Sequence, residues 1–150
     1  MSSETARHAL DDCALRAMKQ QVRKRVRVLL ADDHIAVIDR VRLLLQSVFD
    51  VVGAVSTGRE MVSEGLRLRP DIIVADIAMP DISGIEAAHE LRARGSQAKL
   101  VFLTIHSEDE FIDACMAEGA LGYVVKTHMK SDLILAINAA LAGRSFVSAT

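Results

Sequence analysis

Hydrophobic residues in this chain come in short unbroken runs separated by amphipathic stretches, and the two alternate five times from Val26 onward. The runs are Val26 to Ala31, Asp50 to Val55, Asp71 to Ala75, Lys99 to Leu103 and Leu121 to Val125. Continuous, β-branched apolar runs of about 4–8 residues read as strands covered on both faces, which is how parallel sheets look in sequence. Between them, apolar positions at helical spacing predict helices over 35–48, 58–68, 84–94, 108–118 and 131–142. Such alternation predicts an α/β fold with a doubly wound, five-stranded parallel sheet and five flanking helices. Thr57 with Glu60 and Ser107 with Glu110 fit capping boxes, Ser131 fits a helix N-cap, and Gly95, Gly119 and Gly143 stand where helices should stop.

The residues at which the runs end carry the chemistry. The first run stops at Asp32-Asp33, the third at Asp76, the fourth at Thr104 and the fifth at Lys126. Ligands of open parallel sheets bind beyond the carboxyl ends of the strands. Three carboxylates, a hydroxyl and an ammonium should therefore meet at one edge. Carboxylates so close repel one another, and a divalent cation removes the conflict; Mg²⁺ takes oxygen ligands and a few carboxylates. Lys126 offers a point charge, and Thr104 a donor, to the oxygens of a phosphoryl group. A carboxylate can itself be the nucleophile and form an aspartyl phosphate. Asp76 is the best placed, since it stands alone in the centre and precedes a turn, Ile77-Ala78-Met79-Pro80. Each Asp taken singly also fits a helix N-cap, and His34 reads as a capping or surface residue rather than a ligand.

Leu30-Ala31-Asp32-Asp33-His34, Asp76 through Gly84, Leu103-Thr104 and Gly122 through Lys126, taken together and in order, resemble the receiver domain of bacterial two-component response regulators. The resemblance covers about Arg27 to Phe146 and implies a flavodoxin-like sheet of order 2-1-3-4-5. It implies that Asp76 accepts a phosphoryl group from a sensor histidine kinase, that Asp33, Asp76 and the backbone carbonyl of Ala78 bind Mg²⁺, and that Asp32 acts through a metal-bound water. Thr104 and Tyr123 would form the switch pair, and Lys126 would pair with the phosphoryl group. The Asp-Asp-His opening and the ending Leu135 to Gly143 are similar to the subfamily with LuxR/NarL-type helix-turn-helix output. The sequence stops at Thr150 without such a domain, so no direct DNA binding is expected of these residues, and a fragment of a DNA-binding transcriptional regulator is the alternative. Thr127 replaces the proline that many receivers carry after the lysine.

Length and charge narrow the picture further. The 150 residues suit one domain, and a net charge of −2 with mixed signs gives no global field for nucleic acid or anionic membrane. Neither a membrane-spanning stretch nor a signal-peptide core is present, so a cytoplasmic protein is expected. Cys13 and Cys115 read as buried reduced thiols. Residues 1–25 stand apart from a domain over 26–146 and a tail over 147–150: a weak apolar stripe (Leu10, Cys13, Ala14, Ala17) precedes a basic run, either a docking helix or a polar extension. Leu133, Ile137, Leu141, Phe111 and Met116 read as core. Leu135, Ala139 and Ala142 need not face it, and a homodimer is expected through the fourth helix, fifth strand and fifth helix, or through the first and fifth helices. Tyr123 alternatively reads as a half-buried strand aromatic. A Mg²⁺-dependent aspartyl phosphatase would want a second acid two residues after its nucleophile, where Ala78 stands; a docking scaffold is the other alternative. Ala78, with no polar side-chain atom, and bulky Ile105 should slow hydrolysis of an aspartyl phosphate, while His106 would speed it only if it pointed inward.

Overall fold

A computed structural model describes residues 25–148. The expected N-terminal extension except Arg25, with Cys13 and the Leu10 to Ala17 stripe, lies outside the described residues, as do 149–150. The apolar runs become strands β1 (Arg27–Ala31), β2 (Asp50–Val55), β3 (Ile72–Ala75), β4 (Lys99–Thr104) and β5 (Gly122–Val125). A sixth, β6 (Phe146–Val147), joins the edge. All pair in parallel, in the order β2-β1-β3-β4-β5-β6. Around them pack α1 (Ile35–Leu45), α2 (Gly58–Leu68), α3 (Gly84–Ala93), α4 (Asp109–Ala117) and α5 (Met129–Leu141). The fold is the flavodoxin-like arrangement expected from the sequence, extended by one strand.

Period-two alternation divides the strand side chains between two cores. Leu29, Ile73, Phe102 and Tyr123 face α2, α3 and α4, meeting Met61, Ala87, Ala88, Leu91 and Cys115. Val28, Leu30, Val74, Val101 and Val124 face α1 and α5, meeting Val41, Leu45, Leu133, Ile137 and Ala140. Each large side chain so buried contributes about 1.5–3 kcal/mol. Register then sets the site. Ala31 stands opposite Ala75, and Thr104 opposite Val125, so Asp32 and Asp76 leave the sheet side by side and Lys126 follows beside Thr104. The Asp76 amide donates to the Ala31 carbonyl at 2.9 Å, which fixes that adjacency in the backbone.

Helix ends follow local chemistry, with three corrections. The Thr57 hydroxyl accepts the Glu60 amide at 3.1 Å as expected, and Ser83 does the same for Glu86. Gly95, Gly119 and Gly143 end their helices at φ of 86°, 86° and 74°, a conformation that disfavours residues with a Cβ. The capping box at Ser107 does not form: α4 begins one residue later, Glu108 is the N-cap without a side-chain cap bond, and acidic Asp109 and Glu110 face the positive end of the helix dipole. Ser131 is not an N-cap either. The chain enters α5 through a tight turn of 3₁₀ helix over Lys126–His128, which places Ser131 inside the helix, donating to the His128 carbonyl at 3.2 Å. α1 stops at Leu45, short of 48, and Phe49 beyond it is buried in the core between the sheet and α1 and α5.

Cys115 is buried, which pushes its thiol up to about 12 and makes it unreactive. Leu133 and Ile137 are core, Leu141, Phe111 and Met116 pack against it, and Leu135 is exposed. Among the described residues no helix is long and apolar enough to cross a membrane.

The first turn of α3 rests directly on the strand end it follows. A Cβ on Gly84 would lie 2.0 Å from the Asp76 carbonyl oxygen, while its amide already donates to the Ile77 carbonyl at 2.7 Å. Gly84→Ala should therefore destabilise the domain by about 2–3 kcal/mol. Gly95→Ala meets nothing within 4 Å and should cost only about 1 kcal/mol, from its positive φ. Urea unfolding of the two variants checks the difference.

Candidate functional site

Where β1, β3, β4 and β5 end, five side chains converge. Asp32 and Asp76 are nearly buried, at 5% and 3% exposure, and Thr104 is fully buried. The Lys126 ammonium reaches between the carboxylates, 2.8 Å from Asp32 Oδ2 and 2.9 Å from Asp76 Oδ2. It hydrogen-bonds the Asp76 oxygen; Asp32 Oδ2 is close enough for an ion pair but has no hydrogen bond aligned on it. Burial alone would lower the lysine pKa, but attraction to the Asp32 and Asp76 carboxylates outweighs this and holds it above the usual lysine value. Asp76 Oδ1 accepts the Ile77 amide at 2.7 Å, so both of its oxygens are held.

Asp33 and His34 stand at the open side. Asp32 Oδ1 accepts the His34 amide at 2.9 Å, and the His34 ring nitrogen Nδ1 lies 3.0 Å from the same oxygen and 3.2 Å from Asp33 Oδ1. One ligand atom each from Asp32, Asp33, His34 and Asp76 lies within 4.8 Å of all the others. The donor set suits Mg²⁺: three carboxylates supply hard oxygens, and the buried Asp32 Oδ2 is met by the Lys126 ammonium alone. Ala78 lies in the turn after Asp76, exposed at the rim, and Asp81 in that turn takes a left-handed φ of 73°.

On the other wall, Thr104 Oγ1 accepts the His106 amide at 3.3 Å, and the His106 carbonyl accepts the Tyr123 hydroxyl at 2.7 Å. Tyr123 is wholly buried rather than half-buried, because this bond draws its polar tip inside. Its pKa is raised, first by burial, then by negative charge at Cys115, Glu108 and Asp76. The His106 ring stacks on Phe111 at 4.3 Å between centroids, so it is engaged with the helix rather than turned into the carboxylate cluster. Ile105 is 72% exposed beside the site.

All the strand-end residues singled out from the sequence meet here. Two neighbours escaped that reading. His34 occupies the α1 N-cap position but makes no side-chain cap bond, and its ring turns to the carboxylates instead. The signal was its spacing of two from Asp32, where an Asp side chain commonly captures a following amide. Ser148 is also buried, donating to Asp132 at 2.8 Å and accepting the Val125 amide, which ties the end of β6 to the end of β5.

The model of the response regulator receiver domain matches residues 28–138. The response regulator GacA of Pseudomonas viridiflava is 32% identical over 125 residues, covering 82% of this chain and 58% of the relative. The transcriptional regulatory protein MctR of Rhizobium johnstonii is 30% identical over 128 residues, covering 84% and 60%. The chain thus spans less than two thirds of the length of these relatives. Among solved structures, a LuxR-family two-component response regulator from Aurantimonas sp. SI85-9A1 is similar with a TM-score of 0.78 and 31% identity, over 83% of this chain and 90% of that one.

The ion pairs of Lys126 make a pH signature. A lysine whose pKa is raised on folding stabilises fully below its unfolded value and loses that contribution as pH rises through the folded value. Lys126→Met should cost about 2 kcal/mol near pH 8. The gap to the unsubstituted protein should shrink above the ordinary lysine value of 10.5, which urea unfolding across that range measures.

Proposed function

The chain belongs to the response regulator receiver family, and on that basis we propose that Asp76 is the phosphoryl acceptor of a two-component switch fed by a sensor histidine kinase. The observation that carries the assignment is the pairing of Asp76 with Lys126 at 2.9 Å in a nearly buried site shared with Asp32. An Asp76 carboxylate oxygen attacks phosphorus, the phosphorus–nitrogen bond of the donor histidine breaks, and the imidazole leaves. Such transfers demand positioning and neutralised charge rather than further covalent chemistry. Lys126, already charged and inside, pairs with the incoming phosphoryl oxygens, and the Thr104 hydroxyl has its own hydrogen to donate to another. Asp33, Asp76 and the Ala78 carbonyl would hold Mg²⁺, with Asp32 acting through a bound water; the ion supplies charge neutralisation on the transferring group.

Output depends on a short chain of bonds. Thr104 holds the His106 amide, and the His106 carbonyl holds Tyr123, so a shift of Thr104 toward a phosphoryl group pulls on the residue that anchors the tyrosine. A local change of charge becomes a change of packing on the face of α4, β5 and α5. The exposed Leu135 and Ala142 of that region support self-association as the way the signal leaves. Regulation of transcription, as in the names of MctR and a putative transcriptional regulator of Pseudomonas aeruginosa, is the reading favoured for a longer protein carrying this domain. No acid stands two residues after Asp76, which argues against a phosphatase.

Labelling by acetyl phosphate with Mg²⁺ tests the acceptor: Asp76→Asn should abolish it while the circular dichroism spectrum is kept. Persistent labelling on another aspartate would overturn the assignment. With beryllofluoride, a phosphoryl mimic, the amide signals of His106 and Tyr123 should move in NMR spectra, and Tyr123→Phe should blunt the response at His106 without slowing phosphorylation. The acyl phosphate should be long-lived, and Ile105→Ala should shorten its lifetime by opening the site to water; an unchanged lifetime would remove steric shielding as its cause.

A further inference from the structure

We propose that His34 is a selectivity ligand of the cation site, giving it a nitrogen donor that favours Co²⁺, Ni²⁺ or Zn²⁺ relative to Mg²⁺. The proposal rests on the reading of the acidic cluster as the receiver's cation site and concerns which ions that site prefers.

Geometry is the first reason. Ligands at adjacent corners of an octahedron with bonds of about 2.1 Å lie about 3.0 Å apart. His34 Nδ1 stands 3.0 Å from Asp32 Oδ1 and 3.2 Å from Asp33 Oδ1, the separations of neighbouring corners around one ion. Without an ion the ring hydrogen-bonds Asp32 Oδ1 through Nδ1, and a cation would take the place of the shared proton between the same atoms. Placement is the second reason. The backbone fixes the ring there, because the His34 amide donates to Asp32 Oδ1 at 2.9 Å while the residue holds an extended conformation at the start of α1. The ring performs no capping bond, so its turn toward the acids has no role in closing the helix. The third is the nearly buried Asp32, whose Oδ2 has only the Lys126 ammonium, at 2.8 Å, as a partner and makes no aligned hydrogen bond.

Donor chemistry then sets the direction of the effect. Mg²⁺ keeps oxygen and water ligands and gains little from imidazole. Imidazole suits the later first-row ions, whose affinities for nitrogen sites rise along the series toward copper. With its ring 65% exposed, His34 can adjust to such an ion without displacing core residues.

The test uses the full chain and NMR signals local to the site, so that binding of the ion elsewhere is ignored. Paramagnetic broadening of the Asp32–His34 and Asp76–Ala78 amides by Co²⁺, in competition with Mg²⁺, gives the ratio of the two affinities. His34→Ala should lower the Co²⁺ to Mg²⁺ ratio about 10-fold or more. Asp33→Ala should weaken both ions. An unchanged ratio in His34→Ala, with Mg²⁺ binding normally to the unsubstituted chain, overturns this inference alone. Failure of the folded, unsubstituted chain to bind either ion at these signals overturns the reading of the cluster as a cation site.

Discussion

Two carboxylates are forced together at the centre of this molecule, and much of its chemistry is a response to that fact. The pairing of Ala31 with Ala75 makes Asp32 and Asp76 neighbours whatever their side chains would prefer. Two such charges within 4.8 Å repel by about 3 kcal/mol at the effective dielectric of a protein edge. Hydrophobic burial on both faces of β1 and β3 supplies enough stabilisation to hold them there. Lys126 offsets the repulsion in the resting molecule. Its ammonium is shared between the two acids, so neither carboxylate stands without a counter-charge in the buried site.

The fold was legible because its signals are long-ranged along the chain and redundant. Five apolar runs with turns between them leave few alternatives, and each run's last residue inherits its place from the sheet. The strand-end residues Asp32, Asp76, Thr104 and Lys126 could therefore be assembled on paper. Finer features depend on energies too small or too local to read. Ser107 and Ser131 have the right type for caps, but the neighbouring turn decides where a helix begins, and here the 3₁₀ turn after Lys126 starts α5 two residues early. α1 ends short and Phe49 goes into the core, a tertiary placement that no local pattern announces. β6 has only two residues and no run to show. Residue type alone makes His34 a cap or a surface group; its place beside the cluster comes from two hydrogen bonds to Asp32, one from its amide and one from its ring.

Tyr123 shows how burial and polarity are reconciled. A tyrosine with no exposed surface must satisfy its hydroxyl, and it does so on the carbonyl of a residue that Thr104 holds. That single bond links the core of the α2, α3 and α4 side to the chemistry at the strand ends. Ser148 plays a comparable part at the far edge, where it joins Asp132 to the Val125 amide next to Lys126.

Gly84 gives the site an asymmetry. With no room for even one carbon between α3 and the Asp76 carbonyl, the backbone behind Asp76 is braced. The opposite wall, made of Thr104, the His106 turn and α4, has its first helical turn uncapped by any side chain. One wall is stiff and the other loosely held, so a push started at Asp76 would travel toward Thr104 and α4. Softening the backbone at Gly84 would let both walls share that push, and less of it would reach the surface.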